Sequence, residues 1–218
     1  MYLMKLEVCA VEEIEQTTTE EENKQVKVQK TILSYLHDLV FGLVAVLLLF
    51  MLVFRVIVVS GSSMEQTLYN GDCIILLSSV FYNEPKQGDI VVINKYSYEN
   101  GKTIIKRVIA TEGQTVEFDF ENRLVYVDGV QLEEDYAYYF DDREMANGDM
   151  QSPYSVVVEE GCVFVMGDNR NNSLDSRSSV IGQVDCREIL GKALFLAFPG
   201  MPQSEDEVRN FKRIGVLW

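Results

Sequence analysis

The chain has 218 residues, 47% of them apolar, and 34 Asp and Glu against 19 Lys and Arg, for a formal net charge of −15. That length allows one ordinary domain with appendages, or two small ones. The acidic balance argues against nucleic acid as a partner, because neutralising phosphates needs a basic surface; beyond that it bears on solubility and not on fold.

Residues 1–31 read as an acidic tail. Thr17-Thr18-Thr19 and Glu20-Glu21-Glu22 offer little to pack, so disorder or a frayed helix is expected there. An apolar run follows, with no charge from Leu39 to Phe54. Its sixteen residues cover only about 24 Å as a helix, short of the roughly 30 Å of a bilayer core. Extended back to Ile32 it spans, with His37 and Asp38 near one interface and Arg55 snorkelling at the other. A buried soluble helix and a cleaved signal peptide compete with this reading. The run begins late, follows an acidic segment and is interrupted by Arg55 before the small residues Ser60-Gly61-Ser62, so an uncleaved anchor over residues 32–55 is favoured. Lys24, Lys27 and Lys30 precede the run, which puts the N-terminus in the cytoplasm and the rest of the chain outside.

From residue 56 to 218 the pattern is β. Short β-branched runs lie at 56–59, 73–77, 90–93, 104–110, 115–118, 124–127, 155–158, 163–166, 180–184 and 189–198. Val127-Asp128-Gly129-Val130 has the signature of a tight hairpin. Residues 133–153 read as an irregular excursion, and 119–155 as a possible inserted subdomain. The expected class is mainly β, with one membrane helix in front.

The four cysteines, Cys9, Cys73, Cys162 and Cys186, form no C-x-x-C pair, so zinc and thioredoxin chemistry have no support. Three lie beyond the anchor, and buried small hydrophobes are their expected role. Neither a metal nor a cofactor is expected.

The single histidine, His37, belongs to the anchor. A nucleophilic serine beyond the membrane therefore needs another base, and a buried lysine is the chemical option left. Ser63 follows the first predicted strand. Lys106 lies in the apolar stretch Thr-Ile-Ile-Lys-Arg-Val-Ile-Ala, where alternation turns either Lys106 or Arg107 inward. Burial disfavours the charged amine, and a neutral amine can take a serine proton. Residues 167–177 form a third element, a polar block in which only Gly167 and Leu174 lack a hydrogen-bonding side chain.

In order, these elements are Ser63-Met64-x-x-Thr67-Leu68, Gly-Asp-Ile-Val-Val at 88–92, Lys-Arg-Val-Ile at 106–109, and Gly-Asp-Asn-Arg at 167–170 followed by Ser173, Asp175 and Arg177. The set closely resembles bacterial type I signal peptidases, in the short form with one N-terminal anchor, over roughly residues 55–198. The resemblance implies a signal-peptidase-like β catalytic domain. It implies Ser63 as nucleophile, Lys106 as general base, and Ser173 orienting the lysine amine. Asp168, Asp175 and Arg177 become structural supports, and the Ser63 N–H an oxyanion donor. Some members place a serine two positions before the nucleophile as a second donor; Gly61 stands there in this chain. Gln66 replaces a usual Pro, Asn171 a common Asp, and Ala110-Thr-Glu-Gly-Gln114 a usual Gly-Leu-Pro-Gly-Asp. Met64 and Ile57 are candidate walls of shallow substrate pockets, with core packing the alternative for both.

The implied activity is an endopeptidase that removes signal peptides from exported preproteins at the outer face of the cytoplasmic membrane. Its expected partners are preproteins and the lipid bilayer, and a monomer is expected. The alternative is a catalytically silent relative acting as scaffold or chaperone in surface-protein assembly, although such a relative should lack the serine or the lysine. A self-cleaving Ser/Lys regulator would need a DNA-binding head, for which residues 1–38 are too acidic and too short.

Overall fold

The computed structural model describes residues 2–95, 98, 101–139, 144–151, 153–201 and 209–217, and only the backbone of residues 2–26 and 28. The side chains of Cys9 and Lys24, and part of the excursion at 133–153, lie outside the described residues. The chain divides into two compact units at Met51/Leu52.

The first unit belongs to a single helix, α1, Tyr2–Val53, whose last two residues fall beyond the division. It begins where the sequence suggests disorder or fraying, because residues 2–41 contain neither Gly nor Pro and are rich in Glu, Lys, Gln and Leu. Within α1, Gln29–Val53 is long and apolar enough to cross a membrane. Its apolar side chains face outward all round, Leu39 and Phe41 among them, as suits a helix solvated by lipid.

Among the described residues the second unit contains twelve strands. The main sheet contains β1 (Phe54–Val58), β2 (Cys73–Ser78), β3 (Ile90–Asn94), β4 (Thr103–Thr111), β9 (Cys162–Met166), β10 (Val184–Asp185), β11 (Ile189–Phe198) and β12 (Gly215–Val216). Its order is β1-β2-β11-β3-β4-β9-β10, with β12 on β11. The second sheet, of order β7-β6-β5-β8, contains β5 (Thr115–Asp119), β6 (Leu124–Val127), β7 (Val130–Gln131) and β8 (Ser155–Val157). Every pairing of these strands is antiparallel.

The Asp-Gly hairpin forms between β6 and β7, with Val127 opposite Val130. Both turn residues take positive φ, 54° at Asp128 and 76° at Gly129. That backbone matches the twist of the flanking strands and favours glycine at the second position. The run at 180–184 does not form a strand over its length. The N–H groups of Ile181 and Gly182 turn back to the Ser178 carbonyl, and pairing begins only at Val184. The short strands β7 and β12 carry too few residues to show a period of two.

The second sheet is a layer on the main one and shares its core. Ile109, Phe164 and Met166 of the main sheet join Val116, Phe118, Val125 and Val127 in one buried apolar cluster. Cys73, Cys162 and Cys186 are free thiols. Cys162 packs against that cluster and Cys186 against the one containing Val163 and Val165.

Phe164 is 1% exposed and joins the two layers. Phe164→Ala is expected to cost about 3–5 kcal/mol. Urea unfolding would show a lower midpoint with an unchanged slope, while Val130→Ala, on an exposed side chain, should leave the midpoint in place.

Candidate active site

The site lies where three segments of the β unit meet. The first is the loop 60–71 between β1 and β2. Its neck is closed by two bonds, Val59 N–H to the Asp72 carbonyl at 2.7 Å and Gly71 N–H to the Val59 carbonyl at 2.8 Å. Inside it, the N–H groups of Thr67 and Leu68 both return to the Met64 carbonyl, at 3.0 and 2.7 Å. Ser63 sits at the start of this tight turn.

The second segment is β4. Alternation leads one to expect either Lys106 or Arg107 at the surface, but both are buried, each 3% exposed. The strand is covered on both faces, so burial does not sort the two cations. Their partners do. Lys106 Nζ donates to Ser63 Oγ at 2.7 Å and to the Ile105 carbonyl at 3.0 Å. Arg107 forks onto Asp168, with Nε to Oδ1 at 2.9 Å and Nη2 to Oδ2 at 2.8 Å.

The third segment is the polar block after β9. The Asn169 N–H reaches the Ser63 carbonyl at 3.0 Å. Asp168 also accepts from Thr67 Oγ1 at 2.5 Å, which ties the block to the serine turn. Asp175 accepts from the Gly167 N–H at 3.0 Å and from both Nε and Nη2 of Arg177 at 2.8 Å. Gly167 is required for close approach: a Cβ there would lie 2.2 Å from Ser173 Oγ and 2.5 Å from the Ser63 carbonyl oxygen.

Ser173 is thus placed beside the serine turn, but among the described residues its buried hydroxyl has no hydrogen-bond partner. The orienting bond to the lysine expected from the sequence is not formed in this structure; the Ile105 carbonyl holds the amine instead. Met64 lines a groove of about 170 Å³ together with Val59, Ile104, Leu174, Ser63 and Lys106. Ile57 does not line this groove and packs against the apolar cluster behind Met64. Gly61 sends its N–H to Asn70 Oδ1 at 3.1 Å. Gln66 takes a φ of 35°, a backbone that the proline ring forbids.

Burial pushes the Lys106 amine down from 10.5 to about 8, with Asp175 and Asp168 opposing the shift and Arg177 adding to it. Burial works to raise the Asp175 carboxyl, but the Arg177 guanidinium and the Gly167 N–H hold it below its ordinary value. The three segments therefore bring together a serine hydroxyl and an amine with a substantial neutral fraction near pH 8. That is the equipment for nucleophilic attack by the serine with the lysine as base. Among the described residues no cluster of His, Cys, Asp or Glu is suited to a metal.

A family model for signal peptidase, peptidase S26, matches residues 32–198. The probable signal peptidase I-1 of Synechocystis is 39% identical over 168 residues, 74% of this chain and 80% of that protein. Signal peptidase I S of Bacillus subtilis is 33% identical over 183 residues, 81% of this chain and 95% of that protein. A solved signal peptidase I from Enterococcus faecalis is 30% identical and covers 50% of this chain and 97% of its own, at a TM-score of 0.39. The chain belongs to the signal peptidase, peptidase S26, family. Its class is serine endopeptidase, with an apolar N-terminal helix suited to a membrane anchor.

Against that signal peptidase framework, several supports of the site escape sequence reading. Arg170 is fully buried and forks onto Glu134, with Nη1 to Oε2 at 2.9 Å. Tyr136 lies under Arg107 and Arg170, its ring centroid 4.0 and 5.8 Å from their guanidinium carbons. Asn171 Oδ1 accepts the Ala146 N–H at 2.9 Å, and Arg177 Nη1 donates to the Ala146 carbonyl at 2.6 Å. The excursion after β7 is thus a prop beneath the polar block. Glu134, Tyr136 and Ala146 have no spacing that announces such a role; the one available signal is the density of arginines and carboxylates around them.

Two outcomes follow from this geometry. Activity should fall tenfold per pH unit below about 8, because the protonated amine cannot act as base, and level off above it; a kcat/KM profile checks this. The lysine's contribution to stability should move in the same direction. Between about 8 and 10.5 the unfolded lysine holds a proton that the buried one has lost, so this group's contribution to the unfolding free energy rises with pH across that window. Burial raises the Cys162 and Cys186 thiols and the Tyr82 phenol, which contribute with the opposite sign, so chemical denaturation at pH 8 and 10 is read as a difference: wild type should gain stability relative to Lys106→Met at the higher pH. Separately, Gly167→Ala should cut kcat about 10²-fold by displacing Ser63 or Ser173, with far-UV circular dichroism reporting the intact sheet.

Proposed function

We propose that this chain is a membrane-anchored signal peptidase I that cleaves exported preproteins with Ser63 as nucleophile and Lys106 as general base. The observation that carries the reading is the 2.7 Å contact between Lys106 Nζ and Ser63 Oγ in a buried setting. At that distance the serine proton passes to the amine as Oγ attacks the scissile carbonyl. The Ser63 N–H faces the developing oxyanion. The protonated lysine then delivers its proton to the leaving amine. In the second half of the reaction Lys106 activates the water that releases the acyl group.

The substrate is bound as an added strand. Residues Thr103–Lys106 of β4 pair with β3 on one side, whereas β9 joins β4 only from Arg107 onward. Among the described residues the other edge of 103–106 is therefore free for an extended peptide. The groove beside it, about 170 Å³ with Met64 and Val59 in its wall, has room for small side chains such as the two alanines of an Ala-x-Ala cleavage site. We assign Ser173, whose hydroxyl crowds Gly167 together with the Ser63 carbonyl, to orienting the amine in the substrate complex, and Asp168, Asp175 and Arg177 to keeping the polar block in place. Lys24 and Lys27 precede the spanning segment and Lys30 lies in its first turn, which favours an N-terminus in the cytoplasm and a catalytic unit outside. Anchoring then raises the effective concentration of the enzyme at the membrane plane, where signal peptides end.

Ser63→Ala should abolish cleavage of a purified preprotein with an Ala-x-Ala site in detergent micelles, while wild type cuts after the second alanine. Retained cleavage by Ser63→Ala would remove Ser63 from the mechanism. Binding of the preprotein without cleavage by wild type would favour the non-catalytic scaffold.

A further inference from the structure

The C-terminal segment after residue 208 takes no part in the chemistry above, yet it reaches the serine turn. It enters through a short 3-10 turn, Phe211–Arg213, capped by Asn210. It then adds β12 to β11, with Phe195 opposite Val216 and Leu196 opposite Gly215. At the end of the 3-10 turn the Arg213 side chain turns inward. Its Nη1 donates to Asp72 Oδ1 at 2.9 Å and its Nη2 to Asp72 Oδ2 at 2.6 Å. Nη2 also donates to the Thr67 carbonyl at 3.2 Å. The guanidinium stacks on the Tyr69 ring, 4.3 Å from its centroid.

Asp72 is fully buried and collects more than the arginine. It accepts from the Tyr69 N–H and from the Gly200 N–H, both at 2.7 Å. One carboxylate therefore joins the end of the serine turn, the segment after β11 and the C-terminal strap. Thr67 is gripped at both ends. Its hydroxyl is held by Asp168 and its carbonyl by Arg213. The turn that carries Ser63 is thus clamped from the polar block on one side and from the chain's last residues on the other.

We infer that Arg213 is a positioning residue for catalysis, which sets the pose of the 63–68 turn so that Ser63 Oγ stays within reach of Lys106. This rests on the Ser63/Lys106 reading above. A bidentate guanidinium is needed because two carboxylate oxygens and a backbone carbonyl are engaged by one planar fork, which a lysine ammonium does not reproduce. Arg213 does not line the peptide groove, so its loss acts on the rate and not on substrate binding.

The test compares wild type, Arg213→Ala, Arg213→Lys and Lys212→Ala as full chains in detergent, with preprotein cleavage and thermal unfolding measured on each. The expected result is a kcat reduced about 10–100-fold in both Arg213 variants with KM within about twofold. Lys212→Ala should match wild type. Arg213→Lys should keep its unfolding temperature near that of wild type while losing rate, and millimolar guanidinium should restore part of the kcat of Arg213→Ala. A purely stabilising arginine would not respond to guanidinium at a temperature where both proteins are folded. Wild-type kcat in Arg213→Lys, or a reduced rate in Arg213→Ala that guanidinium leaves unchanged, overturns the inference alone. Wild type that cuts no preprotein overturns the peptidase reading and this inference with it.

Discussion

A lysine amine can be kept partly neutral in a protein interior only if no carboxylate claims it, and that condition organises this site. Three arginines lie in the same region, and each is assigned its own carboxylate: Arg107 to Asp168, Arg170 to Glu134, and Arg177 to Asp175. These pairs are buried, so their charges are satisfied locally by forked hydrogen bonds. Lys106 is left with hydrogen bonds to a hydroxyl and a carbonyl. Desolvation is then the largest influence on the amine, and it points down. Had Asp168 or Asp175 bonded Lys106 directly, the amine would hold its proton and the dyad would lose its base.

The same pairs give the site its rigidity. Breaking one partner of a buried pair costs about 3–5 kcal/mol, so the polar block cannot drift without exposing a charge. Through Asp168 the block holds Thr67, and through the Asn169 N–H it holds the Ser63 carbonyl. The second sheet and the segment after β7 contribute as well. Glu134 and Tyr136 complete the surroundings of Arg170 and Arg107, and the shared apolar cluster fixes that sheet against β4 and β9. Position at the serine therefore depends on residues more than a hundred positions away in sequence, joined by short forked contacts.

Much of the fold was legible because strands and turns are written locally. Nine of the ten β-branched runs became strands close to their expected bounds, and the Asp-Gly turn imposed its own backbone. The exception at 180–184 shows the limit. Apolar residues with strand propensity folded into a turn because Gly182 and the Ser178 carbonyl offered a local hydrogen-bonded alternative. The helical course of the acidic N-terminal segment was obscured for the opposite reason: its composition suits both helix and disorder, and no packing partner in the sequence decides between them.

Local pattern and motif order determined the class of the protein. A lone histidine confined to the apolar run left lysine as the available base, an uncharged run called for a membrane, and alternating apolar residues called for sheets. Alternation left open which cation faces the serine, and motif order named Lys106; burial does not separate it from Arg107, and only the tertiary structure shows what lies opposite each. It also decided that the amine is held by the Ile105 carbonyl, that the excursion after β7 props the polar block, and that Arg213 grips the serine turn. Those outcomes depend on distances between segments remote in sequence, and periodicity, which reports one residue's relation to its near neighbours, carries no information about them.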